Sequence, residues 1–200
     1  MEINEKPEFY LLLPNLISKN NSGTLIRSAS AFNCNKIFII NKEKKEKKKI
    51  LKKLFGSQGT VKKMKFELFE NIEALKEYLN NNKINICCVD KKYKNEMKDI
   101  EPIENIKFNG NFLFILGNKN NIIDNELEKL CNLFTYIEEN NKFGELNISV
   151  IGSIAFHYFG IYNNYKQTEL NQNFNNEKYV VNKNYNNNYI NNNENNIKDI

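Results

Sequence analysis

The chain has 200 residues, 40% of them hydrophobic, and a net charge of +5; that length suits one domain with a real core, and the mild excess of positive charge fits a polyanionic partner without proving one. The four cysteines, Cys34, Cys87, Cys88 and Cys131, form no CxxC and only His157 could join them, so a metal site is disfavoured. No apolar run reaches the roughly 18 residues that span a bilayer, and Met1 to Pro7 is polar rather than a signal peptide, so the expected setting is the cytoplasm, with an organelle or the nucleus left open, and free thiols.

In chain order, Phe9 to Leu13 is a short apolar run ended by Pro14 and reads as a buried strand. Asn20 to Gly23 are turn and cap residues, after which Leu25, Ile26, Ala29 and Phe32 recur at helical spacing. Lys36 to Ile40 is a second buried strand. Lys42 to Lys53 mixes Lys with Glu and reads as a solvated helix or loop, with RNA-backbone contact as the alternative. Residues 61–69 suggest a strand, Glu73 to Leu79 a helix, and Ile84 to Val89 and Asn111 to Leu116 two more apolar strands. Asp124 to Cys131 reads as a helix capped by Asp124, Phe134 to Ile137 as a short strand, and Asn147 to Phe159 as a long apolar helix. Continuous apolar strands alternating with helices specify an α/β fold with a parallel sheet covered on both faces. The domain is expected over residues 1–165. Residues 166–200 form a low-complexity, Asn-rich tail whose last part is expected to be disordered.

Ligands of open α/β sheets bind at the carboxyl ends of strands. Three such ends are unusual: Leu13 into the helix near Asn21, Leu116 to Asn121, and the loop from Ile137 to Asn147. The GxGxxG and P-loop patterns are absent, which disfavours nicotinamide and nucleoside-triphosphate chemistry. His157 lies among Ala155, Phe156 and Phe159 and reads as a structural histidine. Arg27 is the only arginine in a Lys-rich chain, which suggests a task that needs a planar, bidentate cation.

Asn21 to Ala29, with Asn six positions before Arg27, resembles motif 1 of the TrmH (SpoU) branch of the SPOUT RNA methyltransferases. Phe112 to Asn118 resembles motif 2, a buried strand ending in Gly117, and Gly144 to Val150 resembles motif 3. Leu54 to Gly59 is similar to the family's segment between motifs 1 and 2. The resemblance runs from about Phe9 to Phe159. It implies a deep C-terminal trefoil knot, a homodimer, and S-adenosyl-L-methionine as methyl donor. It implies cofactor contacts from Leu116, Gly117, Ile137, Leu146 and Ile148, largely through backbone groups. The reaction implied is methyl transfer to a ribose 2′-hydroxyl of tRNA or rRNA, with Arg27, Asn21 and Asn147 as the catalytic set. Two departures alter charge: Lys119 stands where motif 2 carries an acid, and Glu145 where motif 3 carries Ser. The expectation drawn from them is an exchange in which Glu145 pairs with Lys119 or Arg27. A non-catalytic RNA-binding homologue and, more remotely, a small-molecule methyltransferase are the competing readings.

Overall fold

A computed structural model describes residues 6–13, 19–41, 60–117, 122–140 and 144–166, with the side chains of residues 19 and 20 left aside. The compact unit described here ends at Tyr165. The Lys42–Lys53 run, the Leu54–Gly59 segment, Lys119 and the Asn-rich tail beyond Lys166 lie outside the described residues.

Six strands are present: β1 (Phe9–Leu13), β2 (Lys36–Ile40), β3 (Lys65–Phe69), β4 (Ile84–Val89), β5 (Asn111–Leu116) and β6 (Leu133–Thr135). They form one sheet in the order β3-β2-β1-β5-β4-β6, and every pairing is parallel. The helices are α1 (Lys19–Ala31), α2 (Ile72–Asn81), α3 (Tyr93–Glu96), α4 (Asn125–Glu128) and α5 (Ile148–Tyr162).

The apolar runs exist because the sheet is buried on both faces, and the strand period of two divides each run between two cores. Phe9, Leu11 and Leu13 of β1 and Phe112, Phe114 and Leu116 of β5 join α1 and α5 in one core. Tyr10, Leu12, Leu113 and Ile115 join Leu75 and Leu79 of α2, Tyr93 and Leu127 in the other. The first core is rich in rings: Phe9 stacks on Phe156 at 4.9 Å and meets Phe114 and Phe159 edge-on. Such offset and edge contacts add to the burial term.

Four expectations change. The strand expected over residues 61–69 starts only at Lys65, because Thr60–Lys62 forms a 3-10 turn. The helix expected to Cys131 ends at Glu128, and the chain then turns to pair β6 with β4. Cys88 and Cys131 are bonded, with Cα atoms 6.2 Å apart, so only Cys34 and Cys87 remain as thiols, both buried. His157 is exposed on α5, with Phe32 against its ring, rather than enclosed in the core. Among the described residues no helix is long and apolar enough to cross a membrane.

Candidate functional site

All strands run the same way, so their carboxyl ends share one edge. A cavity of about 560 Å³ opens there, at the ends of β4, β5 and β6, within the size range of ligand sites. Val89, Ile122, Ile137 and Ile151 give it apolar wall, and Asp90, Glu96, Glu139 and Glu145 give it carboxylates.

Asp90 follows the last residue of β4. Its backbone N–H donates to Thr135 O at 3.0 Å, and its Oδ1 accepts the Lys92 N–H at 2.9 Å, an Asx turn that redirects the chain. The side chain is buried. Burial raises its carboxyl above the ordinary value, against the Lys92 N–H and charge, which pull it down, while Glu145 and Glu96 add to the rise. Gly117 donates to Val89 O at 2.9 Å, and β5 thereby lies tight against β4. A Cβ at Gly117 would collide with Asp90 Oδ2 and come within 2.9 Å of Ile123 Cγ1, so the close approach requires glycine. Glu139 accepts from Lys91 Nζ at 2.9 Å and from the Leu146 N–H at 3.3 Å, fixing the chain two residues before α5.

A second constellation joins α1 to α5. Asn147 is the N-cap of α5, where its Oδ1 accepts from the Ser149 N–H at 2.9 Å and from the Ser149 hydroxyl at 2.8 Å. Its Nδ2 donates to Asn21 Oδ1 at 3.2 Å, across 126 residues of sequence. Further along the same contact, the Ser153 hydroxyl donates to Ser28 Oγ at 2.8 Å. Gly152 admits Leu25, since a Cβ there would collide with Leu25 Cδ1 and approach Leu116 Cδ1 to 2.9 Å.

The expected site residues are distributed over these two constellations. Gly117 and Ile137 line the cavity, while Leu116 is 2% exposed and lies beneath it. Leu146 is half-buried, and Ile148 is fully buried in the core with no surface on the cavity. Asn21 and Asn147 are brought together; one turn beyond Asn147, Ile151 is on the cavity wall. Arg27 is exposed on α1, does not line the cavity, and has no ion pair among the described residues. Of the two expected partners of Glu145, Arg27 is not paired with it, and Lys119 lies outside the described residues; Glu145 lines the cavity with Asp90. Sequence reasoning passed over Asp90 and Glu139. Asp90 carried a usable signal, since an acid directly after a buried strand marks a fourth strand end. Among the described residues no group of three or more His, Cys, Asp or Glu is poised to hold a metal.

The model of the SpoU rRNA Methylase family matches residues 8–157. Over 155 residues the chain is 27% identical to "rRNA methyltransferase 1, mitochondrial" of Dictyostelium discoideum, covering 77% of this chain and 29% of that protein. The chain thus spans less than a third of the length of that relative. Among solved structures, the SpoU methyltransferase AviRb of Streptomyces viridochromogenes in complex with AdoMet aligns with a TM-score of 0.64 at 14% identity, over 82% of this chain and 61% of that one. The A. aeolicus TrmH/SpoU tRNA modifying enzyme aligns with a TM-score of 0.61 at 14% identity, over 79% and 76%. The AdoMet-bound rRNA methyltransferase of Sinorhizobium meliloti gives 0.61 at 16%, over 78% and 57%. At these identities the structural likeness concerns the fold, the parallel α/β sheet with its covering helices.

Proposed function

The chain belongs to the SpoU rRNA methylase family, and on that premise we propose that it transfers a methyl group from S-adenosylmethionine to a ribose 2′-hydroxyl of ribosomal or transfer RNA. The observation that carries the reading is the meeting of Asn21 with Asn147: two segments 126 residues apart, each resembling a family motif, are hydrogen-bonded beside a ligand-sized cavity.

The cavity suits the cofactor. Its apolar wall can take an adenine, and its carboxylates can take the positive charges of a sulfonium and an ammonium. Gly117, Ile137 and Leu146 would hold the adenine through backbone groups, with Leu116 and Ile148 packed behind them. When bound, S-adenosylmethionine supplies an electrophilic methyl group. The chain's own part is positioning and electrostatics. A 2′-hydroxyl must lose a proton as it attacks, and a guanidinium, being a permanent cation, is a poor base. Arg27 therefore serves by gripping an RNA phosphate and stabilising the developing alkoxide. Asn21 and Asn147 fix the start of α5 and so the cavity wall at Ile151.

Arg27 does not line the cavity of its own chain, and the reading includes a homodimer in which a second copy supplies it. Support comes from α5, whose exposed Val150, His157, Ile161 and Tyr162 recur at helical spacing, with Val150 42% and Ile161 57% exposed. Light scattering should give twice the chain mass, and Val150→Asp should halve it. The reading also includes the trefoil knot. β6 lies at one edge of the sheet while α5 packs on α1 and β5, and this placement supports that part of the reading. The mitochondrial relative makes an organelle as open a compartment as the cytosol.

The test is calorimetric binding of S-adenosylmethionine, followed by transfer of labelled methyl to total RNA and mass spectrometry of its nucleosides. Ribose-methylated nucleosides support the reading, and absence of cofactor binding overturns it. Binding of cofactor and RNA without transfer identifies a non-catalytic homologue.

A further inference from the structure

The cavity contains one carboxylate whose electrostatic environment is incomplete. Asp90 is 6% exposed, and its Oδ1 is occupied by the Lys92 N–H. The two neighbouring cations are drawn elsewhere: Lys91 Nζ pairs with Glu139 and Lys92 Nζ with Glu128, each at 2.9 Å. Asp90 itself makes no ion pair among the described residues, while its Oδ2 lies directly against Gly117 on the cavity floor. A carboxylate held this deep with no directly paired cation, the Lys92 charge acting on it only in part, is costly in the empty protein, and a cationic ligand removes that cost. The other acids do not relieve it. Glu96 and Glu145 face the same space and share its sign, and Glu139 is already paired.

We propose that Asp90 is a specificity-determining residue that partners the positive charge of the ligand, so that the cavity selects a sulfonium nucleoside over a neutral thioether nucleoside of the same base. The assignment rests on the cofactor reading given above and deepens it. The Oδ1 acceptor is a structural fixture of the turn, whereas Oδ2 is the recognition atom. These two roles are separable, because an amide retains the acceptor and loses only the charge.

Two probes share an adenosine and differ in their cationic centres: S-adenosylmethionine, which carries a sulfonium and an ammonium, and 5′-methylthioadenosine, which carries neither. Calorimetry on the full-length wild-type protein and Asp90→Asn supplies the four affinities. The expected result is that Asp90→Asn weakens S-adenosylmethionine about tenfold or more, the scale of a buried charge-assisted contact, and changes 5′-methylthioadenosine less than about twofold. Equal weakening of both probes, or of neither, overturns the proposal. Failure of the wild-type protein to bind S-adenosylmethionine at all defeats the cofactor reading instead, and the two failures are thereby distinct. Thermal melting confirms that each variant is folded, and Asp90→Ser, a second neutral side chain with a hydroxyl acceptor, must give the same selective loss.

Discussion

Asn147 holds two structural tasks that substitution can separate. As N-cap it accepts from the Ser149 N–H and hydroxyl, and through Nδ2 it ties α5 to Asn21 of α1. Asn147→Ala removes both. Loss of the cap costs about 1 kcal/mol, and the two side-chain hydrogen bonds add about 0.5–1 kcal/mol each in this partly exposed setting. The sum is about 2–3 kcal/mol, or a fall in Tm of roughly 4–12 °C for a domain of this size. Asn147→Asp keeps the Oδ1 acceptor and places a negative charge at a helix N-terminus, which is favourable by about 0.3–1 kcal/mol. It forfeits only the bond to Asn21, so it should remain within about 1 kcal/mol of wild type. Denaturant unfolding of wild type, both Asn147 variants, Asn21→Ala and the Asn21→Ala/Asn147→Asp double variant completes the cycle. The expected coupling between the two positions is about 0.5–1 kcal/mol. If Asn147→Asp is as unstable as Asn147→Ala, the cap is not what anchors α5. If the cycle shows no coupling, the α1–α5 tie through these amides does no work.

Gly117→Ala drives a methyl group into Asp90 Oδ2 and Ile123; overpacking of this kind costs about 1–3 kcal/mol, and a variant that unfolds at the wild-type midpoint would contradict the close β4–β5 approach. Arg27→Lys keeps the charge but loses the planar fork; on the proposed reading, methyl transfer to RNA should fall at least tenfold while cofactor affinity, measured by calorimetry, stays within about twofold. Asp90→Asn should raise the Tm of the ligand-free protein at neutral pH. The carboxyl is raised in the folded state, so the folded protein binds the proton more tightly, and wild-type stability falls as pH rises from the ordinary aspartate value through the raised one. The advantage of the variant should therefore vanish once pH is taken below the ordinary aspartate value, and a gain that persists there would refute the electrostatic account.

The strands β1, β2, β4 and β5 were legible because burial on both faces leaves a clear mark, the apolar run. Ile84 to Val89 and Asn111 to Leu116 match the observed strands residue for residue. The shorter helix after Asp124 was not legible, since the chain beyond Glu128 turns to pair β6 with β4, a strand more than 40 residues earlier to which Cys131 is also bonded through Cys88. On α5 an almost uniformly apolar sequence conceals which side faces out, so the exposure of His157 could not be read from its neighbours. For Asp90 the position at a strand end was legible, but its setting was not. Its setting depends on Gly117 of the adjacent strand and on Lys91 and Lys92 turning towards acids far along the chain. Residue type was in the sequence, and pairing was not.

The charge changes in the two motifs gain meaning from this. Lys119 and Glu145 suggested an exchange in which Glu145 pairs with Lys119 or Arg27; Glu145 faces the cavity beside Asp90, while Arg27 faces outward on α1. Within one chain the acidic cavity and the guanidinium are therefore not partners. That separation suits the proposed chemistry, since a cation-selective cavity and a phosphate-gripping Arg27 would cancel each other if paired. It also sets a condition. On the proposed homodimer, Arg27 acts at the cavity of the second copy, so a monomeric variant should retain cofactor binding and lose transfer. Mixing chains that carry Arg27→Lys with chains that carry Asp90→Asn tests this directly. A mixed dimer pairs an intact Arg27 with an intact cavity only if the two come from different chains, and recovery of transfer in the mixture is the expected outcome. No recovery, with mixed dimers verified by mass, would place both functions in a single chain.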